Sequence, residues 1–420
     1  MKGQSFDKYS LSRAIKKSDF YKYDQLSDDA YLEKEVLDAY DVAHKLLPPA
    51  ISETISNGKT VYYVNDLPWK LVLRRLHSNV CNNIEVEKCH RTEIVRNLIS
   101  YVQEGVKSKI FLIDIKSFYE SIDIDVLLKR INHDHSLSCH SKNLIRLILN
   151  EHIQNGNSGL PRGIELSSIL SDIYMQEFDI IIKEMNEVFL YKRFVDDILI
   201  ITDHKIDEVS MLNKVKDSFP AGLTANDVKT QVIKINKRTH SPQDINGSIA
   251  AKFDYLGYKI TVIDTHIPPN SDGSSSAGKA NSIYRKIKID ISDKKIKRIK
   301  TRICKSFYNF IKNGDFDILF DRITFLSTNR SLINKDKNRK IPTGIFYNYA
   351  LVNNNDSLKC IDNYLRGLLL GSGGRLSKAL RLTNEQKKIL LGISFERGFN
   401  AKIHKKYSLN RMKTITRIWK

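Results

Sequence analysis

At 420 residues the chain is longer than one hydrophobic core usually grows, so two or three lobes are expected. Its 68 Lys and Arg against 48 Asp and Glu leave a formal charge of +20, which favours a polyanionic partner, nucleic acid first and an anionic membrane surface second. With 41% apolar residues and 9 prolines a disordered chain is excluded, and no apolar run approaches the ~20 residues of a spanning helix.

The opening MKGQSFDKYSLSRAIKK lacks the apolar stretch of a secretion signal, so a soluble, cytoplasmic protein with no membrane partner is expected. Residues 1–60 alternate charged and apolar positions at helical spacing, as in YLEKEVLDAYDVAHKLL, and form a helical N-terminal extension. In VYYVNDLPWKLVLRRL, β-branched and aromatic runs flank Asp66-Leu67-Pro68, which predicts a strand pair presenting Lys70, Arg74 and Arg75 together.

Residues 88–106 carry Ile94, Val95, Leu98, Ile99 and Val102 at helical spacing and stop at Gly105, as an amphipathic helix does. The apolar KIFLIDI then reads as a buried strand, two helical stretches frame Gly156–Gly163, and VFLYKRFVDDILIIT reads as two strands turning around Val195-Asp196-Asp197. Elements in this order suit an α+β fold. Residues 263–282, rich in Pro, Gly and Ser, predict a linker or mobile loop. Beyond residue 283 the chain is expected to be basic and helical, with an apolar stripe of Ile296, Ile299, Ile303, Phe307 and Phe310.

The cysteines Cys81, Cys89, Cys139, Cys304 and Cys360 are odd in number and never spaced C-x-x-C, which argues against a disulfide framework and a zinc ribbon. His133, His135, Cys139 and His140 are metal-type ligands crowded into one stretch, and a polar loop or helix surface is the preferred reading.

Two placements of acid stand out. Asp114 sits in the middle of the apolar FLIDIKSFYESID, and Asp196 and Asp197 interrupt an apolar hairpin at its turn. Buried carboxylates need a partner, and like charges side by side repel, so a cation is the natural remedy. Carboxylates from adjacent strands make an all-oxygen site suited to Mg²⁺, and two such ions support nucleotidyl transfer. An Asp-Asp pair alone is better explained by an exposed turn; the order of parts is what favours the metal site.

That order, an acidic strand, GLPRG, FVDD, a lysine in LTANDVKT and then FDYLGYKI, resembles the reverse transcriptase family over roughly residues 61–262. The resemblance implies a right-hand polymerase: fingers at 61–113, a palm at 114–262 and a basic helical thumb and extension at 283–420. It implies Asp114, Asp196 and Asp197 as catalytic, with Ile115 beside them at two Mg²⁺ ions, Mn²⁺ being the alternative. Phe194 stands where the family carries Tyr, and Arg162 where it carries Gln.

By the same resemblance Tyr119 is a steric gate beneath the sugar, Arg162 and Gly163 line the nucleotide site, and Lys229 protonates the leaving pyrophosphate. Tyr255, Leu256, Gly257 and Tyr258 form the primer grip. Lys70, Arg74 and Arg75, with Arg91 as a further candidate, are placed as a clamp on the triphosphate.

The run RTEIVRNLISYVQEG, DIKSFYESID, GLPRGIELSSILSDIYMQEFD, RFVDDI and YLGY is similar to bacterial antiviral, abortive-infection-type reverse transcriptases, and most to the "a" polymerases of the two-polymerase class, type three. This implies dNTP substrates, a noncoding RNA template, a DNA product, a second reverse transcriptase in an oligomeric complex, and a role in antiphage defence. Template-independent or protein-primed synthesis is one alternative. A non-catalytic RNA-binding scaffold is the other.

Overall fold

The computed structural model describes residues 3–20, 22–56, 58–87, 89–238, 247–266, 283–333, 340–371 and 373–419. The chain folds as two compact units, the first made of Met1–His90 and Ser108–Val232, the second of Arg91–Lys107 and Ile233–Lys420. In chain order the elements are α1 (Lys8–Ser12), α2 (Lys17–Phe20), α3 (Asp29–Lys45), β1 (Ile51–Ser56), β2 (Lys59–Val64), α4 (Leu67–Asn83), α5 (Arg91–Gln103), β3 (Ser108–Asp114), α6 (Ile124–His133), α7 (Cys139–Gln154) and α8 (Glu165–Lys183). There follow β4 (Val188–Phe194), β5 (Asp197–Asp203), α9 (Glu208–Asp217), β6 (Gln231–Ile235), β7 (Ser248–Tyr255), β8 (Tyr258–His266), β9 (Ile283–Ile291), α10 (Asp293–Asn313), α11 (Phe316–Ser327), β10 (Asn329–Ile333), β11 (Lys340–Gly344), α12 (Ile345–Asn348) and α13 (Asp356–Leu370), then shorter helices to Thr416. No helix among the described residues is long and apolar enough to cross a membrane.

In the first unit β5 lies between β3 and β4, antiparallel to both, and β6 carries the chain onward into the second unit. The apolar run Ile198–Ile201 is buried throughout, so both faces of β5 are covered. Trp69, Leu71, Leu76 and Val80 of α4, Leu170, Met175 and Phe178 of α8, and Phe111 and Ile113 of β3 share one core. Complete burial of such side chains contributes about 1.5–3 kcal/mol each.

The stretch expected as a strand pair at 61–76 is one strand followed by a helix. Asp66 accepts from the Trp69 backbone N–H at 2.9 Å and Pro68 sits in the first turn, so Asp66-Leu67-Pro68 starts α4 instead of turning a hairpin. The other strand of the pair lies before it: β1 is antiparallel to β2, with Ile51 opposite Val64, so residues 51–56 are not part of the N-terminal helical segment. That segment ends at Lys45, where Leu46 takes a left-handed conformation with φ of 50°.

In the second unit β7, β8 and β9 form an antiparallel meander. The basic region is strand before it is helix: Ile287, Ile289 and Ile291 alternate at period two and are buried, and α10 begins only after Ser292. Arg285, in the stretch expected to be basic and helical, is 1% exposed in β9, where its Nε and Nη2 bond the carboxylate of Asp264. The stripe Ile296, Ile299, Ile303, Phe307 and Phe310 does face a core, shared with Leu319, Ile323, Leu358, Ile361 and Leu365. Most of the expected linker at 263–282 lies outside the described residues; its first residues, Ile263–His266, belong to β8.

Candidate active site

The register of β3 and β5 sets Asp114 directly opposite Asp197. Residues directly opposite on an antiparallel pair have Cβ atoms about 4.5–5.5 Å apart, so two carboxylates share the end of the ladder. Asp196 joins them through its carbonyl, which accepts from the Ile115 N–H at 3.2 Å. Asp114 lies in a net of its own. Lys229 Nζ donates to both of its carboxylate oxygens, at 3.1 and 2.9 Å, Asn226 Nδ2 donates to Oδ2 at 3.1 Å, and the Asn226 N–H meets the Asp114 carbonyl at 2.7 Å.

Burial pushes the Asp196 carboxyl above the ordinary carboxylate range, and the negative charge of Asp114 adds to the rise. The hydrogen bond with Asp114 also raises the pKa of Lys229, which there favours the charged form. Among the described residues no three acidic, His or Cys side chains stand close enough to cage a metal ion as they are placed. The ammonium of Lys229 supplies positive charge at Asp114 instead. The donor set itself fits a hard divalent cation: all-oxygen, acidic, and carrying a raised carboxyl that a nearby cation would lower.

The turn between β4 and β5 is strained. Val195, β-branched, has φ of 59°, a conformation that costs such a residue on the order of 1–3 kcal/mol. Beneath it Arg193, 9% exposed, donates Nε and Nη2 to Asp179 at 2.8 and 2.7 Å and Nη1 to the Val195 carbonyl at 3.1 Å and to Asp172 at 3.3 Å. Burial works against the guanidinium's charge, but Asp179 outweighs it and raises its pKa. Arg193 and Asn226 were missed from sequence. The available signal was Asp172 and Asp179, seven residues apart and so on one face of α8.

The GLPRG loop closes against the same unit. Leu160 N–H donates to the Tyr119 carbonyl and Tyr62 N–H to the Arg162 carbonyl, both at 2.7 Å. A Cβ on Gly159 would fall 2.2 Å from the Tyr119 oxygen, and one on Gly163 2.5 Å from Val61, so both glycines are required by close approach. Arg162 lies over the Tyr119 ring at 4.9 Å and is held there by Glu120, at 2.9 to 3.1 Å.

The basic residues expected at the triphosphate are engaged within the chain. Arg74 forms a bidentate pair with Asp19 at 2.6 and 3.0 Å, Arg75 bonds the carbonyls of Ser5 and Gly3, and Lys70 bonds Tyr23 and the Asn65 carbonyl. Arg74 thus ties α4 to α2, Arg75 ties it to the residues before α1, and Lys70 ties it to Tyr23 beyond α2. Arg91 lies in the second unit: its Nε donates to the Leu256 carbonyl at 2.7 Å and its guanidinium stacks over Tyr258 at 4.8 Å. There Tyr255 and Tyr258 pair across a two-residue turn whose Leu256 and Gly257 both have positive φ, 44° and 80°. A Cβ on Gly257 would sit 3.1 Å from Arg91 and Lys295.

Arg74→Met is expected to lower stability by about 3–5 kcal/mol, because it leaves Asp19 charged and buried; thermal melting checks this, and an unchanged Tm with a raised KM for dNTP would restore the clamp. Asp196 gives the opposite sign. A raised folded pKa means that the stabilising contribution is full below the unfolded value and lost as pH rises through the folded one. At neutral pH Asp196→Asn should therefore raise the metal-free Tm by about 1–3 °C, a gain that shrinks as pH falls into the carboxylate range. Melting across pH reads the effect, and a lower neutral-pH Tm in the variant contradicts it.

Residues 69–260 match the family model described as Reverse transcriptase (RNA-dependent DNA polymerase). No curated protein matches the sequence. Similar solved structures include apo telomerase from Candida tropicalis truncated from its C-terminal domain, 15% identical over 52% of this chain and 54% of that one, with a TM-score of 0.35. Telomerase from Candida albicans with a TWJ fragment of telomeric RNA is 14% identical over 83% and 53%, at 0.30, and apo telomerase from Candida tropicalis 13% over 89% and 60%, at 0.32. The chain thus spans 53% to 60% of the length of those chains, and at these TM-scores the likeness places none of its residues. The residues that match the reverse transcriptase model include Asp114, Asp196 and Asp197, gathered at one end of a β-ladder, together with GLPRG and Lys229.

Proposed function

We propose that the chain copies an RNA template into DNA from dNTPs, with Asp114, Asp196 and Asp197 as its catalytic carboxylates. The observation that carries this reading is the cross-strand register of Asp114 and Asp197, next to a half-buried Asp196 and balanced by Lys229. Divalent cations, Mg²⁺ or Mn²⁺, held by the three carboxylates beside Ile115 would offset the charge of the triphosphate and of the attacking 3′-oxygen.

The chain's own groups supply the rest. Lys229, kept protonated by its acidic neighbours, holds a proton at Nζ for the leaving pyrophosphate. Tyr119, fixed through its carbonyl to the GLPRG loop, gives a bulky ring beneath the sugar, and Arg162 over that ring gives a cation for phosphate or a base edge. In a right-hand arrangement residues 61–113 serve as fingers, 114–262 as palm and 283–420 as thumb and extension. The Tyr255–Tyr258 turn would grip the primer. Around it, burial lowers the pKa of Lys295 and of Arg302, and repulsion from Arg298 lowers both further, a crowding of cations that nucleic-acid phosphates would relieve.

The motif run from RTEIVRNLISYVQEG to YLGY supports placement in the two-polymerase antiphage class, with a noncoding RNA template and a second reverse transcriptase in the complex.

Purified protein given poly(rA)·oligo(dT), labelled dTTP and Mg²⁺ or Mn²⁺ should extend the primer, and Asp196→Asn with Asp197→Asn should abolish extension; activity retained in that double variant removes the site. Lys295→Ala with Arg298→Ala should weaken binding of the same duplex and reduce the slope of log affinity against log salt by about 1–2. An unchanged slope takes these two cations out of the interface.

A further inference from the structure

We infer that Arg193 is a positioning residue for the reaction: through the Val195 carbonyl it holds the peptide plane leading into Asp196 and so aims the two carboxylates of the turn. The inference rests on the reading of Asp196 and Asp197 as catalytic.

Four observations converge on it. Val195 is a β-branched residue in the left-handed region, where a chain left to itself does not stay. Its carbonyl belongs to the peptide that joins it to Asp196, and Arg193 Nη1 donates to that oxygen at 3.1 Å. The next peptide, on the far side of Asp196, is held in turn by the Ile115 N–H at 3.2 Å. Asp196 is therefore pinned on both sides, by Ile115 just beyond β3 and by Arg193, itself held by Asp179 of α8.

Arg193 is itself immobilised. Its side chain is 5% exposed, Asp179 takes two of its N–H groups, and Tyr191 donates to the same Asp179 oxygen at 2.5 Å. A residue that served only to tie α8 to the sheet would need the Asp179 pair and nothing more. The additional bond to the Val195 carbonyl is what a lysine could not provide while keeping a bidentate grip on Asp179. A misplacement of ~1 Å at reacting groups can cost about 10²-fold in rate, so the bond has a kinetic consequence.

The test uses full-length protein with poly(rA)·oligo(dT) and dTTP. Arg193→Lys keeps a charge opposite Asp179 and should lower kcat by about 10- to 100-fold with KM for dTTP little changed. Adding Val195→Gly, for which the left-handed conformation carries no steric cost, should recover at least about half of that loss on a logarithmic scale without recovering Tm. Should Arg193→Lys not fold, Asp179→Asn loosens Arg193 from α8 and is read in the same way. Intact kcat in these variants overturns the inference, and so does a loss of kcat that follows Tm and ignores Val195→Gly. Failure of the catalytic reading is a different result, primer extension persisting in the Asp196→Asn, Asp197→Asn double variant.

Discussion

The pairing of β3 with β5 is the constraint on which the remainder of the site depends. Sheet side chains alternate faces, so a slip of one residue would carry Asp114 or Asp197 to the wrong side. What prevents the slip is the core, where Phe111, Ile113, Ile198 and Ile200 are all buried together. The acids are thus aimed by hydrophobic residues that take no part in the chemistry, and the fold bears the repulsion between them because so much apolar surface is committed to that register.

The two turns assigned to function are built alike. Each places a bulky residue, Val195 or Leu256, at positive φ, and each has an arginine donating to that residue's carbonyl, Arg193 in the first unit and Arg91 in the second. Asparagine or glycine would adopt these conformations at lower cost. A bulky residue whose carbonyl is held by a guanidinium gives a turn with fewer accessible shapes than a glycine would. Local strain of this kind concentrates where geometry matters more than stability.

Much of this was legible in the sequence where information is local. The hairpin of VFLYKRFVDDILIIT, the helix from Arg91 and the strand KIFLIDI follow from short-range pattern. Asp66-Leu67-Pro68 was misread because an aspartate before a proline serves a helix N-terminus as readily as a turn, and only the burial of Trp69, Leu71 and Val80 decides between them. Arg74 and Arg75 were assigned to substrate because their partners, Asp19 and the carbonyls of Gly3 and Ser5, lie far away in the text. Pattern shows that a cation is present and not what it touches. The strand at 283–291 was hidden by its charge, since Arg285 sits in a position where basic residues are rarely buried.

The interleaving of the two units bears on how the chain is made. Helix α5 precedes β3 in the text, yet it belongs with the second unit and packs there against β9, which begins only at Ile283. At ribosomal speeds of about 5–20 residues per second, the apolar face formed by Ile94, Val95, Leu98 and Val102 waits roughly ten seconds or more for its partner to emerge. During that interval the nascent protein carries an uncovered amphipathic segment between two stretches of the first unit. Synthesis rate and chaperone supply therefore bear on its yield in a way that the finished, closed molecule conceals.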